Sequence, residues 1–326
     1  MSSEFLLFLR RSASFLLIFI LIVSGLEFRL RQTLEEAEHA HYQVLFSLKE
    51  PFDVMVLGSS TAMHGIDMHV LEETRIPGVD FRNAYNFAMP GAKFTFWEDW
   101  YNTLFHGHVQ PPTFAIFVTD SFKLAEGVGR DLENDSNFFP FSVFLRAFLS
   151  SSLQRSNLLV HELMLFNIHK SILYLLKPQR TSWRTNQAEQ YRGYLPVDRV
   201  LRADDPDALR GAADSLLIHP EISEEQFEAL DTVTSGLQEQ GTTVVFVQPP
   251  AYFPHISREV VAGPNAERIR SLAEKKNILF LDYNGDRVSA LNGHAAYFYN
   301  WKHLNREGSR VFTKVLRKDL ERVLGE

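Results

Sequence analysis

A serine that could act as a nucleophile and a histidine that could take a proton stand in two distant stretches of this chain. The serine lies in "VMVLGSSTAMHG" (Val54–Gly65), where four apolar residues are followed by Gly58, Ser59 and Ser60 and then by small or polar residues. The histidine is His303, in "YFYNWKHLNREGSRVF" (Tyr297–Phe312). A serine hydroxyl is a poor nucleophile until an imidazole takes its proton. The oxyanion that follows attack on an acyl carbon needs donors already in place. A serine at the first turn of a helix supplies its own N–H for this, because the first N–H groups of a helix have no partner within it. The plainer reading of Gly58-Ser59-Ser60 is an N-cap between a strand and a helix.

Other chemistry-bearing residues carry bland readings. His64, four residues after Ser60, reads as a helix-surface histidine, although that spacing allows it to face the site. His106 and His108 ("HGH") resemble a fragment of a metal site but lack further ligands at recognisable spacing. "HELML" (His161–Leu165) lacks the second histidine of a zinc-protease helix. "EGVGRD" (Glu126–Asp131) lacks the glycine pattern and preceding strand of a phosphate-binding loop. Asp282, Tyr283 and Asn284 read as turn residues.

The elements that must position Ser60 and His303 follow from hydrophobic patterning. Five short runs bounded by turn signals read as buried strands: Asp53–Leu57, Asp80–Tyr85, Phe114–Val118, Thr243–Val247 and Ile278–Leu281. Ser223 to Gln226 ("SEEQ") reads as a capping box, with Phe227, Leu230, Val233 and Leu237 along one face of the helix it opens. Arg306–Leu324 reads as a final amphipathic helix, its apolar face carried by Val311, Val315, Leu320 and Val323. Strands alternating with helices predict an α/β fold with a parallel sheet covered on both faces. Ligands of such sheets bind beyond the carboxyl ends of the strands, where the Gly58-Ser59-Ser60, Asp120-Ser121-Phe122 and Gln248-Pro249-Pro250 stretches fall. The third and fourth runs are far more widely separated than a βαβ crossover requires. An insertion at about 125–215 is therefore expected, a helical cap followed by an irregular segment over 179–215. Within it, Phe138–Leu149 ("FFPFSVFLRAFL") reads either as core of the cap or as a face for a membrane or an embedded partner.

The 326 residues are 45% hydrophobic, enough for a sizeable core, and the formal net charge of −7 argues against nucleic-acid binding. With no cysteine, disulfides, thiolate catalysis and Cys-ligated zinc are excluded. "SASFLLIFILIVSGLEF" (Ser12–Phe28) follows Arg10 and Arg11 and reads as a single-pass signal-anchor over 1–28, lengthened by Phe5–Leu9. The globular part is then extracytoplasmic and attached to the cell membrane. A cleaved signal peptide and a buried N-terminal helix are the alternatives. Residues 29–50 read as a charged helical stalk.

Taken together, "GSS", "NFAMPGA" (Asn86–Ala92) and "NWKHLNREG" resemble the SGNH, or GDSL-like, hydrolase superfamily. The nearest flavour is its membrane-anchored cell-envelope branch, which includes D-alanyl-lipoteichoic-acid transfer and alginate O-acetylation proteins. The resemblance covers roughly 50–326 and leaves the cap unmatched. It implies a three-layer, flavodoxin-like sandwich over 51–326 around a five-stranded parallel sheet. It makes Ser60 the nucleophile, His303 the base, and the Ser60 and Gly91 N–H groups the oxyanion donors. Ser59 falls where many members have Asp. Two positions depart from the family. Asn300 stands where its acid lies, three residues before the histidine, and Asp120 stands near a position often held by Asn. Asp282 or Asp286 is a possible substitute for the acid, and Asp120 a possible accessory group. The implied function is serine-dependent acyl-ester chemistry, as O-acyltransferase or esterase, on a cell-envelope polysaccharide. No metal, nucleotide or other cofactor is expected. A membrane-embedded acyltransferase is the implied partner. The alternative is a non-catalytic glycan-binding or scaffold protein with a decayed site.

Overall fold

The computed structural model describes residues 52–89, 91–104, 110–120, 191–202, 223–252, 263–284 and 289–325, together with Ser14 and Gly25. The chain divides into two compact units, 1–43 with 132–185 and 44–131 with 186–326. Nearly all described residues belong to the second. Apart from Ser14 and Gly25, the expected anchor and stalk lie outside the described residues, as do Phe138–Leu149, His106, His108, His161, Glu126–Asp131 and Asp286. Among the described residues no helix is long and apolar enough to cross a membrane.

Five strands, β1 (Val54–Leu57), β2 (Ala84–Asn86), β3 (Phe114–Val118), β4 (Thr243–Gln248) and β5 (Leu279–Asp282), form one sheet in the order β2-β1-β3-β4-β5. Every pairing is parallel. β1 and β3 are continuous, fully buried apolar runs because both faces are covered. On one face Val54, Val56, Ile116, Val118, Val245 and Val247 join a core with α1 (Ser60–Gly65), α2 (Met68–Leu71) and α7 (Arg306–Leu324). On the other, Phe117 meets Phe94 and Trp97 of α3 (Phe94–Leu104) and Phe246 of β4. Two further helices, α4 (Glu224–Glu239) and α5 (Pro264–Lys275), pack beside α3 and β5 respectively. A short α6 (Ser289–Asn292) precedes a 3-10 turn, Ala295–Tyr297.

Three expectations need correction. The first half of the second run is not strand. Asp80 accepts from the Arg82 N–H and opens a 3-10 turn over Phe81–Asn83, so β2 begins at Ala84. The capping box at Ser223 is only half made. Ser223 Oγ accepts from the Gln226 N–H, but the Gln226 side chain leaves its own helix. Its Oε1 accepts from the N–H groups of Phe94 and Thr95, and its Nε2 donates to Thr95 Oγ1. A fully buried glutamine on α4 thus caps α3, because apposed helices bring it nearer those orphan donors than its own Ser223. The buried stripe of α7 runs through Phe312, Leu316 and Leu320, while Val323 is exposed. The irregular segment is as expected in having no helix or strand over 191–202.

Part of that segment, residues 191–202, is an ordered strap on the sheet unit. Asn86 N–H donates to Arg192 O, Leu195 N–H to Met63 O, Leu201 N–H to Phe298 O and Arg306 N–H to Val197 O. Backbone hydrogen bonds therefore tie the strap to β2, α1, the loop before α7 and α7 itself. Ion pairs of Arg192 with Glu72 and of Arg306 with Asp198 accompany them.

Replacing Gln226 by Ala strips the acceptor from two buried N–H groups and should lower unfolding stability by about 2–3 kcal/mol, against about 1 kcal/mol for Ser223→Ala. Urea unfolding followed by the fluorescence of Trp97 and Trp100 reads the difference. Equal losses would show that the bonds from Gln226 to α3 contribute nothing.

Candidate active site

β1 lies between β2 and β3, so the chain leaves β1 toward one side of the sheet and returns on the other. The crevice at such a reversal, beyond the strand ends, is where open α/β sheets bind ligands. Gly58 opens that turn. Its φ is +149°, and a Cβ there would lie 2.9 Å from Ala62 Cβ and 3.0 Å from the Val118 carbonyl oxygen. Only glycine lets α1 start this close to β3.

The two serines divide the work. Ser59 is the N-cap of α1; its Oγ accepts from the Thr61 N–H at 3.4 Å and bonds Thr61 Oγ1 at 3.0 Å. Ser60, the first helical residue, turns the other way, with Oγ 2.7 Å from His303 Nε2. The capping and the serine–histidine readings of this motif are both satisfied, by different residues.

His303 comes from a tight loop. Phe298 and Leu304 form an antiparallel bridge, and Tyr299 N–H donates to His303 O. At the tip, Asn300 Oδ1 accepts from the N–H groups of Lys302 (3.1 Å) and His303 (2.9 Å) and lies 2.9 Å from His303 Nδ1. The two backbone groups are donors only, which identifies this atom as the amide oxygen. An amide oxygen is an acceptor only, so His303 carries its proton on Nδ1. Nε2 is then the lone-pair nitrogen and accepts from the Ser60 hydroxyl. The tautomer needed for Ser60 to donate is thus dictated by three bonds to one oxygen.

Outer contacts hold this loop. Asn305 caps α7 through the Gly308 N–H and donates to the carbonyls of Ala296 and Phe298. Tyr252 N–H donates to Trp301 O, and the stretch after β4 that carries Tyr252 is braced by Asn284, which donates to Pro249 O and accepts from the Ala251 N–H.

The remaining sequence candidates fall as follows. Gly91, with φ +78°, occupies the third position of a turn closed by Ala92 N–H to Met89 O. Met89 N–H in turn donates to Gly58 O, tying this loop beside the Ser60 turn. Asp120 is buried just past the end of β3. Asp282 is not the orienting acid: its carboxylate pairs with Arg270 and accepts from the Asn284 N–H. Tyr283 is core, fully buried against Phe312, rather than a turn residue.

Three residues at or beside the site were not assigned to it from the sequence. His64 is buried, not a surface histidine, and its Nδ1–H donates to Leu195 O of the strap at 2.8 Å. Its ring stands perpendicular to that of His303, centroids 5.7 Å apart. The spacing from Ser60 to His64, one helical turn, was the available signal. Tyr299 lies parallel to His303, with centroids 5.2 Å apart and planes 9° from parallel. Burial pushes its phenol well above the usual tyrosine range. Asn86, fully buried, donates to Ala62 O in α1 and accepts from the Ala88 N–H, joining the two turns behind the site.

A scan against protein-family models gave no match, and a search of curated proteins gave none.

Above its titration, His303 should show a protonated Nδ1 and an unprotonated Nε2 in long-range proton–nitrogen spectra of histidine-labelled protein. Asn300→Leu should abolish that preference. An Nε2–H tautomer in the unaltered protein would contradict the geometry.

Proposed function

We propose that the chain is an SGNH-like serine acyl-ester enzyme of the cell envelope, with residues 51–326 as its catalytic part. The observation that carries this reading is the 2.7 Å bond from Ser60 Oγ–H to His303 Nε2, with Nδ1–H held on Asn300 Oδ1, at the reversal point of a parallel sheet. The strand order is that of flavodoxin-like doubly wound folds, and helices on both sheet faces make three layers, as the resemblance implies.

In this mechanism Ser60 Oγ attacks the acyl carbon and its proton moves to His303 Nε2. The Ser60 and Gly91 N–H groups receive the oxyanion. Collapse returns the proton from Nε2 to the leaving alcohol and leaves the acyl group on Ser60. A sugar hydroxyl or water, deprotonated by the same nitrogen, then takes it up, and Nε2 returns that proton to Ser60 Oγ as the Ser60–acyl bond breaks. Ser59 serves by capping α1. Acyl transfer onto an envelope polysaccharide, fed by a membrane-embedded acyltransferase, is preferred to hydrolysis on the resemblance alone. The single-pass anchor and the extracytoplasmic site belong to the same proposal.

Asn300 supports a second reading, a non-catalytic glycan-binding or scaffold protein. An amide oxygen fixes the tautomer but stabilises an imidazolium less than a carboxylate does.

Intact mass after treatment with a fluorophosphonate separates the two. The full chain should gain one adduct, absent from Ser60→Ala and His303→Ala. Asn300→Asp keeps the three acceptor bonds and adds a charge, so labelling should quicken by roughly ten-fold, the difference between a neutral and a charged acceptor. A folded chain that gains no adduct between mildly acidic and mildly alkaline pH would overturn the enzyme reading in favour of the scaffold.

A further inference from the structure

An imidazole that takes a proton beside an amide rather than a carboxylate needs another source of stabilisation for its charge. We propose that the ring face of Tyr299 supplies it, acting as an electrostatic partner of the His303 imidazolium. This deepens the acyl-chemistry reading and rests on it for its use, although the stack itself is a property of the fold.

The geometry is an offset stack, which two neutral rings adopt and which a cation strengthens. Parallel rings in contact lie about 3.5–4.0 Å apart. A centroid distance of 5.2 Å at 9° therefore means that the rings are slid sideways over one another. The face of an aromatic ring is negative, and a cation within about 6 Å of its centroid is attracted. Neutral imidazole gains little from this field, whereas imidazolium gains directly. An interaction stronger after proton transfer than before it is the kind that accelerates a step. The proton balance is simple. The Ser60 proton arrives at Nε2, the Nδ1 proton stays on Asn300 Oδ1, and the ring is cationic only until Nε2 gives its proton to the leaving oxygen. The phenol, raised by burial, stays neutral meanwhile, so the attraction comes from the ring face and not from a tyrosinate.

Other described groups lie around His303. From α1, Ser60 and His64 face it. From its own loop, Asn300 bonds it, while Lys302 directs its ammonium over the Trp301 ring at 5.4 Å. Asp120 is a buried carboxylate at the same edge of the sheet, after β3. From the strap, the Leu195 carbonyl accepts from His64 Nδ1. The ring of Tyr299 is the group stacked on the imidazole in parallel.

The test titrates His303 by nitrogen-edited NMR of the full chain labelled in histidine, with the resonance assigned from His303→Gln. Tyr299→Phe keeps the ring face and should leave the titration within a few tenths of a pH unit. Tyr299→Leu keeps apolar cover without a face and should lower it by roughly half a unit, about three-fold in the protonation equilibrium. Phenylalanines of increasing ring fluorination at position 299 keep the shape and weaken the face, so His303 should become progressively more acidic. The same ordering is expected in His64→Gln and Asp120→Asn backgrounds. A titration indifferent to fluorination, or an ordering lost in either background, would overturn the proposal. Fluorophosphonate labelling of the same samples keeps the two failures apart. Ring-dependent titration without an adduct retains the stack and removes the acyl chemistry; an adduct with ring-independent titration does the reverse.

Discussion

One oxygen atom organises the candidate site. Asn300 Oδ1 accepts from two backbone N–H groups and from the His303 ring, and by doing so fixes the loop, the ring plane and the tautomer together. An acceptor at this position is a geometric requirement; a negative charge is an additional one. Asparagine meets the first and not the second. That separation explains how the chain keeps a well-formed Ser60–His303 hydrogen bond without a carboxylate on Nδ1, and why the surroundings of the imidazole matter more here than in a site built around an aspartate.

Around that atom the fold works as nested supports. Gly58 brings α1 against β3, Asn86 ties α1 to the turn after β2, and Asn305 joins the histidine loop to α7. Each is a buried polar or small residue whose partners lie on a different element. Leaving any of their buried partners unsatisfied would cost more than the bond itself contributes, so the supports hold position more than they add stability.

The parts legible in the sequence are those set by local rules. The strand cores of β1, β3 and β4, the span of α7 and the N-cap at Ser223 followed from periodicity and capping chemistry, which involve neighbours in the chain. Ser60 and His303 were paired in the sequence only through the resemblance that the motifs around them carry. The rest depended on distant partners. Gln226 completes a local motif on paper, yet its side chain serves a helix more than a hundred residues earlier. The burial of His64 depends on the Leu195 carbonyl, 131 residues away in sequence. Residues 191–202 have no periodicity of their own, and backbone hydrogen bonds, ion pairs and core contacts with distant residues give them a fixed path. β2 was overextended because Asp80 caps a turn, a local competition that apolar content alone conceals.

The strap has a consequence for the order in which the molecule can be built. Ser60 and His303 are 243 residues apart, and the strap that touches both their elements is itself far from each in sequence. Contacts this distant form only after the entropy of closing long loops has been met, and so they come late. During synthesis from the amino end, the serine turn exists while its histidine is still unmade or inside the ribosome. The nascent chain therefore carries Ser60 without its imidazole partner until residue 303 emerges. A product truncated anywhere before residue 303 lacks the hydrogen-bond partner of Ser60 Oγ, whatever else of the sheet it has folded.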